Sequence, residues 1–174
     1  MPPRQFSFLP KTPLEHGGAL RKGRRKIARP LDPKRAVHLV MRSTFARGER
    51  SMLHRKYKAY IHVMIEDAAE AHGVRIYRYS NVGNHLHFLL KFKTRAGFRA
   101  FTRQIAGAIA MMITGARKGD SLSKPFWDLL PYTRIVSWGR EFETLKTYLI
   151  RNLLEGYGIP NRHFKMTGFA GRGS

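Results

Sequence analysis

The feature that most limits the fold of this chain is the order of its strand-like and helix-like segments from Ala36 onward. Short apolar runs rich in β-branched and aromatic residues predict four strands, at 36–44, 74–80, 85–92 and 132–138. Apolar residues at helical spacing predict three helices, at 51–72, 95–116 and 140–155. The order β-α-β-β-α-β, then a helix, predicts an α+β, ferredoxin-like fold with a four-stranded antiparallel sheet.

In this topology both crossover helices cover one face of the sheet, and the other face stays open for a ligand or the last helix. Side chains alternate between the two faces along a strand. The third predicted strand, "HLHFLLKF", therefore directs one set towards the helix-covered core, namely Leu86, Phe88, Leu90 and Phe92. His85, His87 and Leu89 lie on the open face.

Two imidazoles two residues apart on one face can bind a single metal ion, although a lone strand histidine is more often structural. His85 and His87 follow a Gly-Asn turn in a basic protein, which favours metal ligation. On the last helix, Tyr148 and Asn152 are four residues apart and share a face. Spacing alone favours a packing role for Tyr148 and a helix-closing role for Asn152. The combination with the histidine pair favours a functional site.

Charge predicts the class of partner. The chain has 33 Lys and Arg against 11 Asp and Glu, a formal net charge of +22. Nucleic acid is the favoured partner, and an anionic membrane surface or a role in a ribonucleoprotein is the alternative. Candidate DNA contacts are Arg21, Arg24, Arg25, Lys26, Arg75, Arg78, Lys91, Lys93 and Arg134. Three aromatic residues can stack on bases, although we expect at least two of them to belong to the core: Tyr77, Tyr79 and Trp138.

Composition along the chain predicts three regions. Residues 1–35 are rich in Pro, Gly and basic residues and are expected to form a flexible basic arm. Residues 36–158 form the folded domain, and the glycine-rich segment 159–174 is expected to be a loose tail. No apolar run approaches the roughly 20 residues of a membrane span, and the N-terminus lacks the apolar core of a secretory signal. The absence of cysteine fits a reducing cytosol.

The motifs "GNHLHFLL", "PFWDLLPYTRIVSW" and "FETLKTYLIRN" together resemble the HUH single-strand DNA nucleases, in which U is a hydrophobic residue between two histidines. The chain is most similar to the single-tyrosine transposases, and among them to the REP-associated tyrosine transposases. The resemblance runs from about Pro30 to Tyr157.

The resemblance implies a role for each matching residue. His85, His87 and Asn152 would bind Mg²⁺ or Mn²⁺, Leu86 would be the U position, and Tyr148 would be the nucleophile. The implied activity is cleavage and transfer of single-stranded DNA through a 5′-phosphotyrosine, on a substrate that contains a hairpin. The implied setting is a bacterial-type cytoplasm at the nucleoid, with the protein acting as a monomer or homodimer.

One departure from the family pattern concerns the last helix. Relatives often continue with Pro-Val after the asparagine, whereas Leu153, Leu154 and Glu155 follow Asn152 here. The helix is therefore expected to extend by a further turn, which makes Glu155 an additional candidate ligand.

The alternative function is a noncatalytic module on the same fold that binds structured RNA or DNA.

Overall fold

The computed structural model describes residues 14–23, 27–117 and 124–159. Its strands are β1 (Glu15–His16), β2 (Ala36–Arg42), β3 (Val74–Asn81), β4 (His85–Phe92) and β5 (Tyr132–Val136). Its α-helices are α1 (Lys58–Ala71), α2 (Arg95–Thr114) and α3 (Arg140–Gly156). In the described part of the chain, no helix is both long and apolar enough to cross a membrane.

The strands form one antiparallel sheet in the order β1-β5-β2-β4-β3. The four longer strands have the order and directions of the predicted ferredoxin-like sheet, so the α+β prediction is confirmed. The sheet has one strand more than predicted, because Glu15 and His16 pair with Arg134 and Thr133 of β5. These two residues belong to the segment expected to be a flexible arm, and Leu31 of the same segment is buried in the core.

The helix-covered face contains the main core. Side chains from alternate positions of β2 and β4 pack there against α1 and α2. The large buried side chains include Leu39, Phe88 and Phe92 of the strands and Phe98, Phe101 and Ile105 of α2. The predicted inward set of β4 is fully buried in this layer. Burying this many large apolar side chains is the main favourable contribution to folding.

The open face carries a smaller apolar cluster under α3. Phe142, Leu145 and Leu149 of α3 pack on Ala36, Leu89 and Val136 of the sheet. Leu89 is therefore buried on the opposite face from Phe88 and Leu90, as the alternation predicts. Because α3 covers only part of the face, the β4 residues before Leu89 remain beside the helix rather than beneath its apolar side.

The first helix begins later than the sequence predicts. Residues 51–57 form turns, and α1 starts only at Lys58, so the predicted start at Ser51 is wrong. The backbone N–H of Met52 donates to Gly83 O at 2.8 Å, and Asn81 Nδ2 donates to Met52 O at 2.8 Å. These bonds fix the segment against the β3–β4 turn, so Met52 is buried by tertiary contacts rather than as part of a helix.

Candidate active site

Four predicted site residues line one cavity beside the open face. The cavity has a volume of about 430 Å³ and is bounded by His85 and His87 of β4 and by Tyr148, Asn152 and Glu155 of α3. The histidines come from the central part of the sheet and the other three from a single helix face. The structure thus brings together the residues that the motifs predict, although their chemical roles remain predictions.

The β3–β4 turn positions the first histidine. Gly83 has φ +89°, a conformation that favours glycine, and its N–H donates to Asn81 Oδ1 at 2.9 Å. A Cβ on Gly83 would lie 2.8 Å from Ser51 Oγ, so a side chain would not fit without displacement. This tight turn fixes the start of β4, and with it the position of His85.

His85 is held in one tautomer. Its Nδ1 lies 2.7 Å from Asn84 Oδ1, and because an amide oxygen only accepts, Nδ1 is the donor. Nε2 therefore keeps its lone pair. Metal-binding histidines commonly have such a partner on the second ring nitrogen. Burial and the nearby Arg42 lower the pKa of His85, while Asp128 acts in the opposite direction.

His87 is stacked beside His85 and is more deeply buried. The ring centroids are 5.8 Å apart, with 19° between the planes. Burial, and then the charge of His85, lower the pKa of His87 to about 4. Its Nδ1 is buried and has no hydrogen-bond partner among the residues that the structure describes. Both imidazoles are therefore neutral at neutral pH, which is the form that binds metals.

The aromatic ring of Tyr148 stands edge-on to His87, with 6.3 Å between centroids and 83° between planes. Tyr148 is 38% exposed, so a substrate can approach it from solvent. Asn152 lies one helical turn later and lines the same cavity. Tyr148 and the histidine pair thus face the same cavity.

Contacts at both ends of α3 hold this arrangement. At the start, Glu141 accepts a hydrogen bond from the Ser137 backbone N–H at 2.8 Å and pairs with Arg134, also at 2.8 Å. At the end, a Cβ on Gly156 would lie 3.2 Å from both Asn81 O and the Val82 Cα. The absence of a side chain at Gly156 therefore lets the end of the helix approach the β3–β4 turn closely.

The donor set fits a divalent cation. His85 keeps the Nε2 lone pair, the His87 imidazole is neutral, and the side chain of Asn152 carries a neutral amide oxygen; all three residues line the cavity. Glu155 also lines the cavity and is paired with Arg151 at 2.9 Å. Across residues 14–23, 27–117 and 124–159, no group of three or more His, Cys, Asp and Glu is arranged to hold a metal ion. The predicted set contains two residues of those types and an asparagine.

His38 of β2 adjoins the site. Its ring stacks on His87 with centroids 5.8 Å apart and 16° between planes, and the ring of Tyr132 meets it edge-on at 6.3 Å. Burial, followed by the charges of His87 and Arg134, lowers the pKa of His38 to about 3. Its Nε2 is buried and has no hydrogen-bond partner within the described chain.

Asn84 and Asp128 also adjoin the site, and neither is among the site residues predicted from the sequence. Asn84 is adjacent to His85 in the "GNH" motif, and this adjacency is the sequence feature that could have identified it as a hydrogen-bond partner of His85. Asp128 pairs with Arg42 at 3.3 Å and accepts from the Thr44 N–H at 2.7 Å. Trp127, its neighbour, packs edge-on against Phe126, and its Nε1–H donates to Ala106 O at 2.9 Å.

The predicted DNA contacts do not form one group. Arg134 is engaged by Glu141, whereas Arg75, Lys91 and Lys93 line a separate cavity at the other end of β4. Arg78 is exposed on β3. The Arg21 backbone ends a short 3-10 helix. Its side chain and the remaining arm candidates lie outside the described residues, namely Arg24, Arg25 and Lys26.

A comparison with curated proteins gave no significant match. A comparison with family models matched the IS200-like transposases over residues 34–151, which is more than half of the chain. This match confirms the resemblance to single-tyrosine transposases, while the REP-associated branch stays a prediction. The chain therefore belongs to the IS200-like transposase family, which implies a DNA-processing enzyme with DNA as its partner.

Proposed function

We propose that this protein is a metal-dependent endonuclease and strand transferase for single-stranded DNA, with Tyr148 as the nucleophile. The observation that carries the proposal is the shared cavity, in which Tyr148 and Asn152 of α3 face His85 and His87 of β4. Two neutral imidazoles, an amide and a solvent-accessible phenol suit phosphoryl transfer better than they suit passive binding.

In the proposed reaction, the Tyr148 hydroxyl oxygen attacks phosphorus and the bond to the 3′ oxygen breaks. The products are a 5′-phosphotyrosine and a free 3′-hydroxyl: the phenol proton passes to solvent at the exposed side of the ring, and the departing 3′ oxygen takes a proton from solvent. Attack by another 3′-hydroxyl reverses the step and joins two strands. The covalent bond keeps the phosphate reactive between the two transfers.

His85, His87 and Asn152 are the proposed ligands for Mg²⁺ or Mn²⁺. When bound there, the ion would polarise the scissile phosphate and offset the negative charge that develops on its oxygens. Asn84 fixes the His85 tautomer, and burial keeps His87 neutral, so no deprotonation at the histidines is needed before the metal binds.

The proposed substrate is DNA with a hairpin beside a short single-stranded element. The resemblance to the REP-associated branch supports this choice, and the net charge of +22 supports extended phosphate contacts. The proposed acting form is a monomer or a homodimer. The same charge favours the alternative function, a noncatalytic nucleic-acid-binding module.

The test is a cleavage and strand-joining assay on labelled hairpin-flanked single-stranded DNA, with Mn²⁺ or with EDTA. We expect metal-dependent cleavage and a covalent protein–DNA band in denaturing gels. Tyr148→Phe should abolish both, and Tyr157→Phe should retain both, because Tyr157 lies just beyond α3 and does not line the cavity.

If the protein binds a varied set of DNA substrates tightly and forms no adduct, the nuclease proposal fails and the binding module replaces it. If cleavage persists in Tyr148→Phe, the nucleophile is assigned to the wrong residue.

A further inference from the structure

A second cavity lies at the opposite end of β4 from His85. It has a volume of about 590 Å³ and is lined by Arg75 and Tyr77 of β3, by Lys91 of β4 and by Lys93 just after it. Lys91 is six positions after His85 in β4, so the two ends are roughly 20 Å apart at the rise of a β-strand. The second cavity is therefore separate from the cavity that contains His85 and Tyr148.

The cations of the second cavity are not neutralised. Arg75, Lys91 and Lys93 face a single acidic lining residue, Glu70, and none of the three forms a salt bridge within the described residues. Three arginines elsewhere in the described residues do have carboxylate partners, namely Arg42, Arg134 and Arg151. Three unpaired cations around one concave surface create a local positive potential that favours a polyanion.

An exposed aromatic residue borders these cations. Trp138 is 47% exposed, and Lys91 Nζ lies 5.9 Å from its ring centroid. The indole Nε1 donates to Lys34 O at 3.1 Å, and the ring packs against Phe142 with centroids 4.9 Å apart. These contacts fix the orientation of the ring while nearly half of its surface remains accessible.

Tyr77 connects Trp138 to the cavity. Its ring meets Trp138 edge-on at 5.8 Å, and the Arg75 guanidinium lies 5.1 Å above the Tyr77 ring. Tyr79, by contrast, stacks on buried Phe88 and belongs to the core layer. Of the three aromatic candidates for base stacking, Trp138 is therefore the one that is both exposed and beside free cations.

We propose that Arg75, Tyr77, Lys91, Lys93 and Trp138, here called the Trp138 cleft, form a second binding site for a single-stranded DNA segment. A base stacks on the exposed face of Trp138, and the adjoining phosphates contact Arg75, Lys91 and Lys93. This combination of a fixed aromatic ring and a positively charged groove is how proteins bind single strands without reading their sequence. The inference takes DNA as the partner from the family and does not depend on tyrosine chemistry.

The Trp138 cleft would hold DNA away from the reacting phosphate. The Tyr148 cavity and the cleft lie at opposite ends of β4, with the apolar cluster under α3 between them. A strand bound at both places gains affinity from contacts outside the cleavage site, so binding should survive the loss of Tyr148 and of the metal.

The first experiment measures the salt dependence of binding. The full chain carrying Tyr148→Phe is titrated in EDTA with a labelled oligothymidylate of about 15 nucleotides, close to the upper site size of a single-strand-binding module. Replacing both lysines of the cleft, as Lys91→Gln with Lys93→Gln, should reduce the log–log salt slope by about 1.4. The control pair, Arg99→Gln with Arg103→Gln on α2, makes the same charge change on exposed positions of the opposite face and should leave the slope unchanged.

The second experiment tests the stacking contact. Trp138→Leu keeps an apolar side chain against Phe142 and should weaken oligothymidylate binding roughly tenfold at fixed salt. The chain has two tryptophans, Trp127 and Trp138, so the same variant shows which of them changes its fluorescence when DNA binds. DNA should quench the emission of the parent and leave the remaining emission from Trp127 unchanged in Trp138→Leu.

Equal slopes for the two charge pairs would overturn the proposal, because the net charge alone would then explain binding. Unchanged fluorescence in the parent on DNA binding would also overturn it, since the parent carries no substitution in the Trp138 cleft. Neither result bears on the tyrosine reaction, because both are measured without Tyr148 and without metal.

Discussion

Leu149 is the side chain whose removal should most directly loosen α3 from the sheet. It is 1% exposed and belongs to the apolar cluster with Leu89 and Val136. In Leu149→Ala, three carbons are lost from the cluster, a transfer cost of about 2.4 kcal/mol at ~0.8 kcal/mol per carbon. With the cavity left behind, we expect the free energy of unfolding to fall by about 3 kcal/mol.

Urea denaturation measures this loss, with Leu130→Ala as the matched control. Leu130 is 63% exposed, so the same chemical change should cost less than about 0.5 kcal/mol there. In a domain of this size, 3 kcal/mol corresponds to a fall of roughly 6–12 °C in Tm. Because Tyr148 precedes Leu149 on the helix, formation of the covalent adduct should also slow. A loss below about 1 kcal/mol would show that this cluster does not hold α3, contrary to our reasoning.

Three further predictions concern acid stability, metal binding and helix closure. In metal-free protein, His38 binds its proton in the unfolded chain near pH 6.5 but in the folded chain only near pH 3, so stability should fall as pH drops below 6.5, by about 2 kcal/mol at pH 5. His38→Gln should flatten this decline when the free energy of unfolding is measured by urea denaturation between pH 6.5 and pH 5. An unchanged dependence of that free energy on pH would contradict the prediction. Asn84→Ala should weaken Mn²⁺ binding by roughly 10-fold or more in titration calorimetry, since the His85 tautomer is no longer fixed; equal affinity would show that Asn84 has no such role. Gly156→Val should lower Tm, because its Cβ would press on the Asn81 carbonyl, whereas an unchanged Tm would mean that the turn can yield.

The element order and the two faces of β4 could be predicted because they depend on local patterns. Alternation along the strand assigns Phe88 to one layer and Leu89 to the other, and the structure has both there. The bounds of β4, His85–Phe92, are those predicted, since a glycine turn precedes the strand. Local patterns also place Tyr148 and Asn152 on one face of α3.

The remaining features depend on contacts between segments distant in sequence. Leu53 fits helical spacing, but the two hydrogen bonds of the neighbouring Met52 to Asn81 and Gly83 exclude a helix there. The two-residue strand β1 is too short to show a period and exists only because β5 offers an edge. The burial of His38 likewise arises from the pairing of β2 with β4 and β5, which the local sequence around His38 does not predict.

Electrostatic partners were also beyond local prediction. Arg134 and Lys91 looked equivalent in the sequence, yet Arg134 is engaged by Glu141 at the start of α3, while Lys91 faces Trp138. Which basic residue is available for DNA is therefore decided by where the few carboxylates lie in the fold.

The measurement that tests the central claim most directly is identification of the residue that carries the DNA. The adduct formed with Mn²⁺ and hairpin-flanked single-stranded DNA is digested with nuclease and protease, and the modified peptide is sequenced by mass spectrometry. We predict a nucleotide 5′-phosphate on Tyr148 in a peptide from α3. A nucleotide on any other residue, or no modified peptide from a preparation that cleaves DNA, would contradict the account.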